Sequence, residues 1–245
     1  MVENILTGDN AYFYEKMRPE DISGLKKLGT INELMEYVRD FGEKTAINER
    51  ENGKARSLTY SRLYDEAQAL GGYLAEKAGR GAGIALLGGT GYGWLKGFLG
   101  ITVSGAKAVL LPPSMPPEAI CGVLGGIGAK GIVYGKKFAG AASEVAEKLA
   151  LGLSICFDTF SERANGAAAP TNPGDTAALL FTSGTTGQNK IVPLTQQNIM
   201  TNVFNGMLGV PGIRDARILA VLPLFHVFGF NRSVHCFEPG RGDLF

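Results

Sequence analysis

Four short apolar runs alternate with segments of helical period, and this alternation limits the chain to one class of fold. The runs are Ile84 to Leu87, Lys107 to Leu111, Gly131 to Tyr134 and Leu153 to Phe157. Each is too short for a helix and rich in Ile, Leu and Val, which reads as a strand buried on both faces. Helices are predicted between them at Trp94 to Val103, Glu118 to Gly125 and Ser143 to Ala150. A helix between successive strands returns the chain to the same end of the sheet, so the strands run parallel. The expected fold class is α/β, with parallel sheets flanked by helices on both faces.

The flanking sequence extends the pattern. Thr30 and Glu33 form a capping box ahead of Ile31, Leu34, Met35 and Val38 at helical spacing. Ala46 and Ile47 suggest a short strand. Ser61 is the expected cap of a helix whose stripe is Leu63, Ala67, Leu70 and Leu74. Arg163 to Gly174, rich in Ala, Asn, Pro and Gly, reads as a linker. It divides an N-terminal α/β subdomain (1–162) from the start of a second one (175–245). In that second part a strand is expected at Thr176 to Phe181, followed by a loop and a turn. Thr195 then caps a helix burying Ile199, Met200, Val203, Phe204 and Met207, and a last strand is read at Arg217 to Leu222. Glycine makes up 35 of 245 residues, about twice the usual ~7%. Gly71, Gly72, Gly97 and Gly100 interrupt helical patterns, from which a loosely stable fold is expected.

Composition excludes several functions. With 24 basic and 23 acidic residues the net charge is +1, and no long basic run offers a footprint for nucleic acid. Cys121, Cys156 and Cys236 are far apart and odd in number, and with His226 and His235 they form no metal-binding spacing. Reduced thiols in a cytoplasmic protein are the expectation. The N-terminus lacks the basic start and apolar stretch of a signal peptide, and no apolar run reaches the ~18 residues of a membrane span.

One loop carries the chemistry. Leu179-Leu180-Phe181 ends in Thr182-Ser183-Gly184-Thr185-Thr186-Gly187, and Lys190 follows. Glycines let backbone N–H groups approach a polyphosphate, hydroxyls donate further bonds, and a lysine adds a point charge. The nucleotide-triphosphatase P-loop requires Lys directly after its last Gly, whereas Gln188 and Asn189 intervene here. A second glycine cluster, Gly89-Thr90-Gly91-Tyr92-Gly93, opens a helix after a strand. The third glycine of a dinucleotide fingerprint would fall at Trp94, so it is read as a tight turn. Arg241-Gly242-Asp243 is an adhesion-type tripeptide of the kind that recurs by chance.

The string Thr182 to Gly187 followed by Lys190 closely resembles the phosphate-loop signature of the adenylate-forming enzymes, which include acyl-CoA synthetases, luciferases and peptide-synthetase adenylation domains. Leu222-Pro223-Leu224-Phe225-His226-Val227-Phe228-Gly229 resembles the next motif of that family, along the acyl pocket. The likeness runs from about Thr30 to Gly229, with Pro173, Asp175 and Ala177 placed as the family has them. It implies an incomplete N-terminal domain of the adenylate-forming fold and ATP-dependent activation of a carboxylic acid, a fatty acid by preference, with coenzyme A taking the acyl group. It further implies that Thr182, Ser183, Thr185 and Thr186 hydroxyls and Gly184 and Gly187 amides hold the nucleotide phosphates, that Lys190 supplies charge, and that the Thr185 hydroxyl faces Mg²⁺. His226 would line the acyl-adenylate pocket between Phe225 and Phe228.

The sequence departs from the pattern at Asn189, Ile191 and Gln196, where the family commonly has Pro, Gly and His. The family motifs that supply a magnesium glutamate, a ribose aspartate and a catalytic lysine are not matched. Asn231 to Phe245 lacks helical periodicity. The expectation is therefore a truncated fragment with little activity of its own, in need of a partner that supplies the C-terminal part. A catalytically inactive nucleotide-binding remnant and a non-enzymatic interaction module stand as alternatives.

Overall fold

The computed structural model describes residues 27–51, 53–161, 169–183, 189–208, 219–226 and 229. Among them the six-stranded sheet comprises β3 (Gly83–Leu87), β4 (Lys107–Leu111), β5 (Gly131–Tyr134), β6 (Leu153–Cys156), β7 (Thr176–Ser183) and β8 (Asn189–Thr195). Its order is β6-β5-β3-β4-β7-β8. All neighbours are parallel except β7 and β8, which form an antiparallel edge. β1 (Thr45–Glu51) and β2 (Lys54–Thr59) form a separate antiparallel pair, longer than the strand expected at Ala46 and Ile47.

Alternation along each strand sorts the core into two faces. Ile84, Leu86, Ala108, Leu110, Val133, Ala178 and Leu180 point to one side. They pack there with α1 (Ile31–Arg39), α2 (Tyr60–Ala78) and α3 (Tyr92–Val103). Ala85, Leu87, Val109, Leu111 and Ile132 point to the other, against Ile120 and Leu124 of α4 (Pro117–Gly126) and Ala142 and Val145 of α5 (Ala139–Lys148). The parallel strands are thus covered on both faces, which is why they read as continuous apolar runs. α6 (Gln196–Leu208) follows β8. β7 and β8 lie beyond the expected linker yet join the sheet of β3 to β6, with Ala178 and Leu179 opposite Ala108 and Val109.

Helix ends follow their caps. Thr30 Oγ1 accepts the Glu33 N–H at 3.1 Å, while the Glu33 carboxylate turns to the Gly29 N–H at 2.7 Å. Thr59, not Ser61, caps α2, accepting the Arg62 N–H at 3.3 Å, so the helix begins at Tyr60. Thr195 and Asn198 bond reciprocally at 3.0 and 3.1 Å, a capping box with Asn in the acidic position. No helix among the described residues is long and apolar enough to cross a membrane.

A further expectation needs correction. The described part of the strand read at Arg217 to Leu222 is not a strand. Leu219 and Val221 are 69% and 72% exposed, and among the described residues no strand pairs with them. An apolar run becomes a strand only against a ladder partner. Two of the helical glycines are close contacts. Gly71 and Gly100 sit where α2 and α3 cross: a β-carbon on Gly100 would lie 2.7 Å from Leu70, and one on Gly71 2.5 Å from Val103.

Candidate nucleotide-binding hairpin

β7 brings the glycine-rich loop to the edge of the sheet where β3, β4 and β5 also end, since it runs parallel to them. In open α/β sheets that carboxyl edge is where ligands bind. β7 and β8 pair in register from Ala178 opposite Leu194 up to Ser183 opposite Asn189, with Thr182 opposite Lys190. The signature therefore falls between the two paired strands of an antiparallel hairpin, and β8 occupies the span read from sequence as a turn. Gly184, Thr185, Thr186 and Gly187 lie outside the described residues. For Thr182 and Ser183 the backbone alone is described. Lys190 is exposed at the head of the stem.

The base of this hairpin is fixed by Asp175 and Gln196, which the resemblance marks without a role, and by Arg80, which no motif marks. Asp175, just before β7, accepts from the Asn172 N–H at 2.7 Å and from Arg80 Nη2 at 2.5 Å. The Asn172 bond first, and Arg80 with it, hold the Asp175 carboxyl below its ordinary pKa. Its carbonyl accepts the Gln196 N–H at 2.9 Å. Gln196, where the resemblance leads one to expect His, is 1% exposed, and its Oε1 accepts the Ile31 N–H at 2.9 Å. That bond satisfies one of the open donors at the start of α1, tying two helix starts to one strand start.

The second glycine cluster is a tight turn, as expected, and its neighbours fill the place a nucleotide would take. Gly91 caps α3 with φ 154, and the Glu49 carboxylate accepts the Tyr92 N–H at 3.0 Å, occupying the helix end with protein charge. The Phe157 ring fills the space beside it. β-Carbons on Gly88 or Gly135 would come within 2.9 Å of that ring, and one on Gly93 would overlap it.

Beneath this turn lies a charged cluster. Lys96, on the buried helix α3, is 6% exposed and bonds Glu66 at 2.8 Å, while Arg62 bonds the same carboxylate at 2.6 Å. Burial works to raise the Glu66 carboxyl, but the bonds from Lys96 and Arg62 outweigh it and hold its pKa below the ordinary value. Burial, reinforced by the Glu66 charge, pushes the Tyr92 phenol far up, so it stays neutral.

Of the second motif, Leu224 is buried, Phe225 is half-buried against the main core, and His226 is exposed. The His226 N–H donates to the Pro223 carbonyl at 3.1 Å. Gly229 packs flush on that same carbonyl, leaving no room for a β-carbon. Any larger residue at position 229 would collide with the Pro223 carbonyl. Phe228 lies outside the described residues. No group of three or more His, Cys, Asp or Glu among the described residues could hold a metal ion. Cys121 and Cys156 are free and half-buried.

A mostly parallel sheet covered by helices on both faces, with an antiparallel hairpin at one edge, defines an α/β protein. The chain belongs to the AMP-binding enzyme family, whose pattern it matches over residues 34–237. It is 29% identical to the oxalate–CoA ligase of Arabidopsis thaliana over 217 residues, covering 82% of this chain and 41% of that one. It is 41% identical to the 4-coumarate–CoA ligase-like 9 of the same plant over 73 residues, 29% of this chain and 13% of that one. The long-chain-fatty-acid-CoA ligase FadD1 of Archaeoglobus fulgidus superposes with a TM-score of 0.77 at 19% identity, covering 90% of this chain and 48% of that one. The o-succinylbenzoate CoA synthetase of Bacillus subtilis, solved with its acyl-adenylate, gives 0.71 at 22%, covering 86% and 55%. These structures share the adenylate-forming N-terminal fold. The chain spans between 13% and 41% of the length of the first curated relatives it matches.

Proposed function

We propose that the β7–β8 hairpin holds the polyphosphate of ATP in an acid–thiol ligase that activates a carboxylic acid as its acyl-adenylate and passes it to coenzyme A. The placement of the signature loop at the carboxyl edge of the sheet, with exposed Lys190 at its stem, carries this reading. The stem fits a polyphosphate: the second residue of β8, Lys190, is an exposed cation. Thr182, Ser183, Thr185 and Thr186 would hold the β- and γ-phosphates with the Gly184 and Gly187 amides, and the Thr185 hydroxyl would face Mg²⁺. Bound ATP supplies an electrophilic α-phosphorus. The chain contributes positioning and charge neutralisation, and needs no general base because the attacking carboxylate is ionised at neutral pH. Phe225, His226 and Phe228 would line the acyl side. A fatty acid is the favoured substrate, and the cytoplasm the favoured compartment.

The 245 residues alone match none of the family motifs for the magnesium glutamate, the ribose aspartate or the catalytic lysine. Nucleotide binding with little turnover is therefore expected of these 245 residues when assayed by themselves. Pyrophosphate release measured with ATP, Mg²⁺ and a panel of fatty acids should stay near background; turnover at the rate of a complete ligase would refute the claim. Lys190→Ala should weaken Mg-ATP binding by roughly tenfold, the value of one partly screened charge-assisted contact. Unchanged affinity in a dye-displacement titration would remove Lys190 from the site.

A further inference from the structure

A recess of about 310 Å³ opens at the opposite edge of the sheet from the loop, between the starts of β3 and β4 and the ends of α2 and α4. Arg80, Lys107 and Lys130 line it together with Ile127, Gly128 and Leu179, and among the described residues no carboxylate does. The Arg80 charge is matched by Asp175. Among the described residues, no ion pair engages Lys107 or Lys130. The two helix ends bring about −0.5 charge each, against two free ammonium groups. The balance is a positive recess with an apolar wall, and a dianion on a small apolar body satisfies both.

We propose that this recess binds a small phosphate monoester. The phosphate sits between Lys107 and Lys130, which act as point charges for it, and the ester group lies against Ile127 and Leu179. Leu179 is four residues before the end of β7, about 13 Å along the strand from the loop, so the recess is separate from the proposed ATP site.

Phenyl phosphate titrated into the 245-residue chain at low salt, followed by amide NMR shifts, tests this. Saturable shifts at Gly81, Gly83, Gly128 and Lys130 are expected, with inorganic phosphate binding more weakly for want of the apolar contact. Lys130→Ala, at an exposed position, should weaken binding by about tenfold. Lys107→Arg with Lys130→Arg should retain it, and Lys190→Ala should leave it unchanged. Absence of saturable shifts, equal binding by Lys130→Ala, or loss of binding in Lys190→Ala would each overturn the proposal, the last by assigning the anion to the hairpin.

Discussion

Glu66→Ala is expected to lower folding stability by about 3 kcal/mol, the lower end of the range for breaking a buried ion pair, because Glu66 itself keeps some solvent contact. The loss comes from the Lys96 ammonium, which is left on a buried helix with its carboxylate gone. Replacing both residues, Glu66→Leu with Lys96→Met, should recover most of it, since an apolar pair of similar volume is often as stable as the ions. The pH dependence has a definite sign. The carboxyl pKa is depressed in the fold, so its contribution is complete above the ordinary glutamate value of 4.5 and disappears as pH falls through the lower folded value. Urea unfolding at neutral and acid pH should show wild type and Glu66→Ala converging in acid. A constant gap between them would mean that the Glu66 charge does not stabilise the fold.

Gly100→Ala tests the helix crossing. In an exposed helix this change would stabilise by about 1 kcal/mol. Here the added methyl would fall within 2.9 Å of three Leu70 side-chain atoms, and Leu70 is fully buried. Overpacking of this kind costs about 1–3 kcal/mol, so steric conflict wins, and Gly100→Val should prevent stable folding. Leu70→Ala alone should cost about 2–5 kcal/mol. The double variant Gly100→Ala/Leu70→Ala should cost less than the sum, because the new methyl occupies part of the vacated space. Additive or stabilising results in denaturant titrations would show that α2 and α3 do not cross at this close distance.

Sequence patterning located the sheet because its strands are buried on both faces. β4 and β5 match their expected ends, and β3 and β6 differ by one residue. The edge strand β8 escaped because Lys190, Pro193 and the flanking polar residues dilute the apolar signal, as suits an edge strand whose residues 190–193 are all exposed. The role of two helical glycines was hidden for a related reason. Helix propensity is a local quantity, whereas Gly71 and Gly100 answer to a contact about thirty residues away in sequence. At the site, the phosphate signature was legible as a motif. The supporting role of Arg80, Asp175 and Gln196 was not, since Arg80 and Gln196 act through partners distant in sequence, and the motif places Asp175 without saying what it holds.

Calorimetric titration of Mg-ATP into the folded 245-residue chain bears most directly on the hairpin as a nucleotide clasp. Saturable, one-to-one heat is expected, strongly reduced in a Thr185→Ala/Thr186→Ala variant with an unchanged amide spectrum. No heat from the intact protein, or equal heat from the variant, would contradict it.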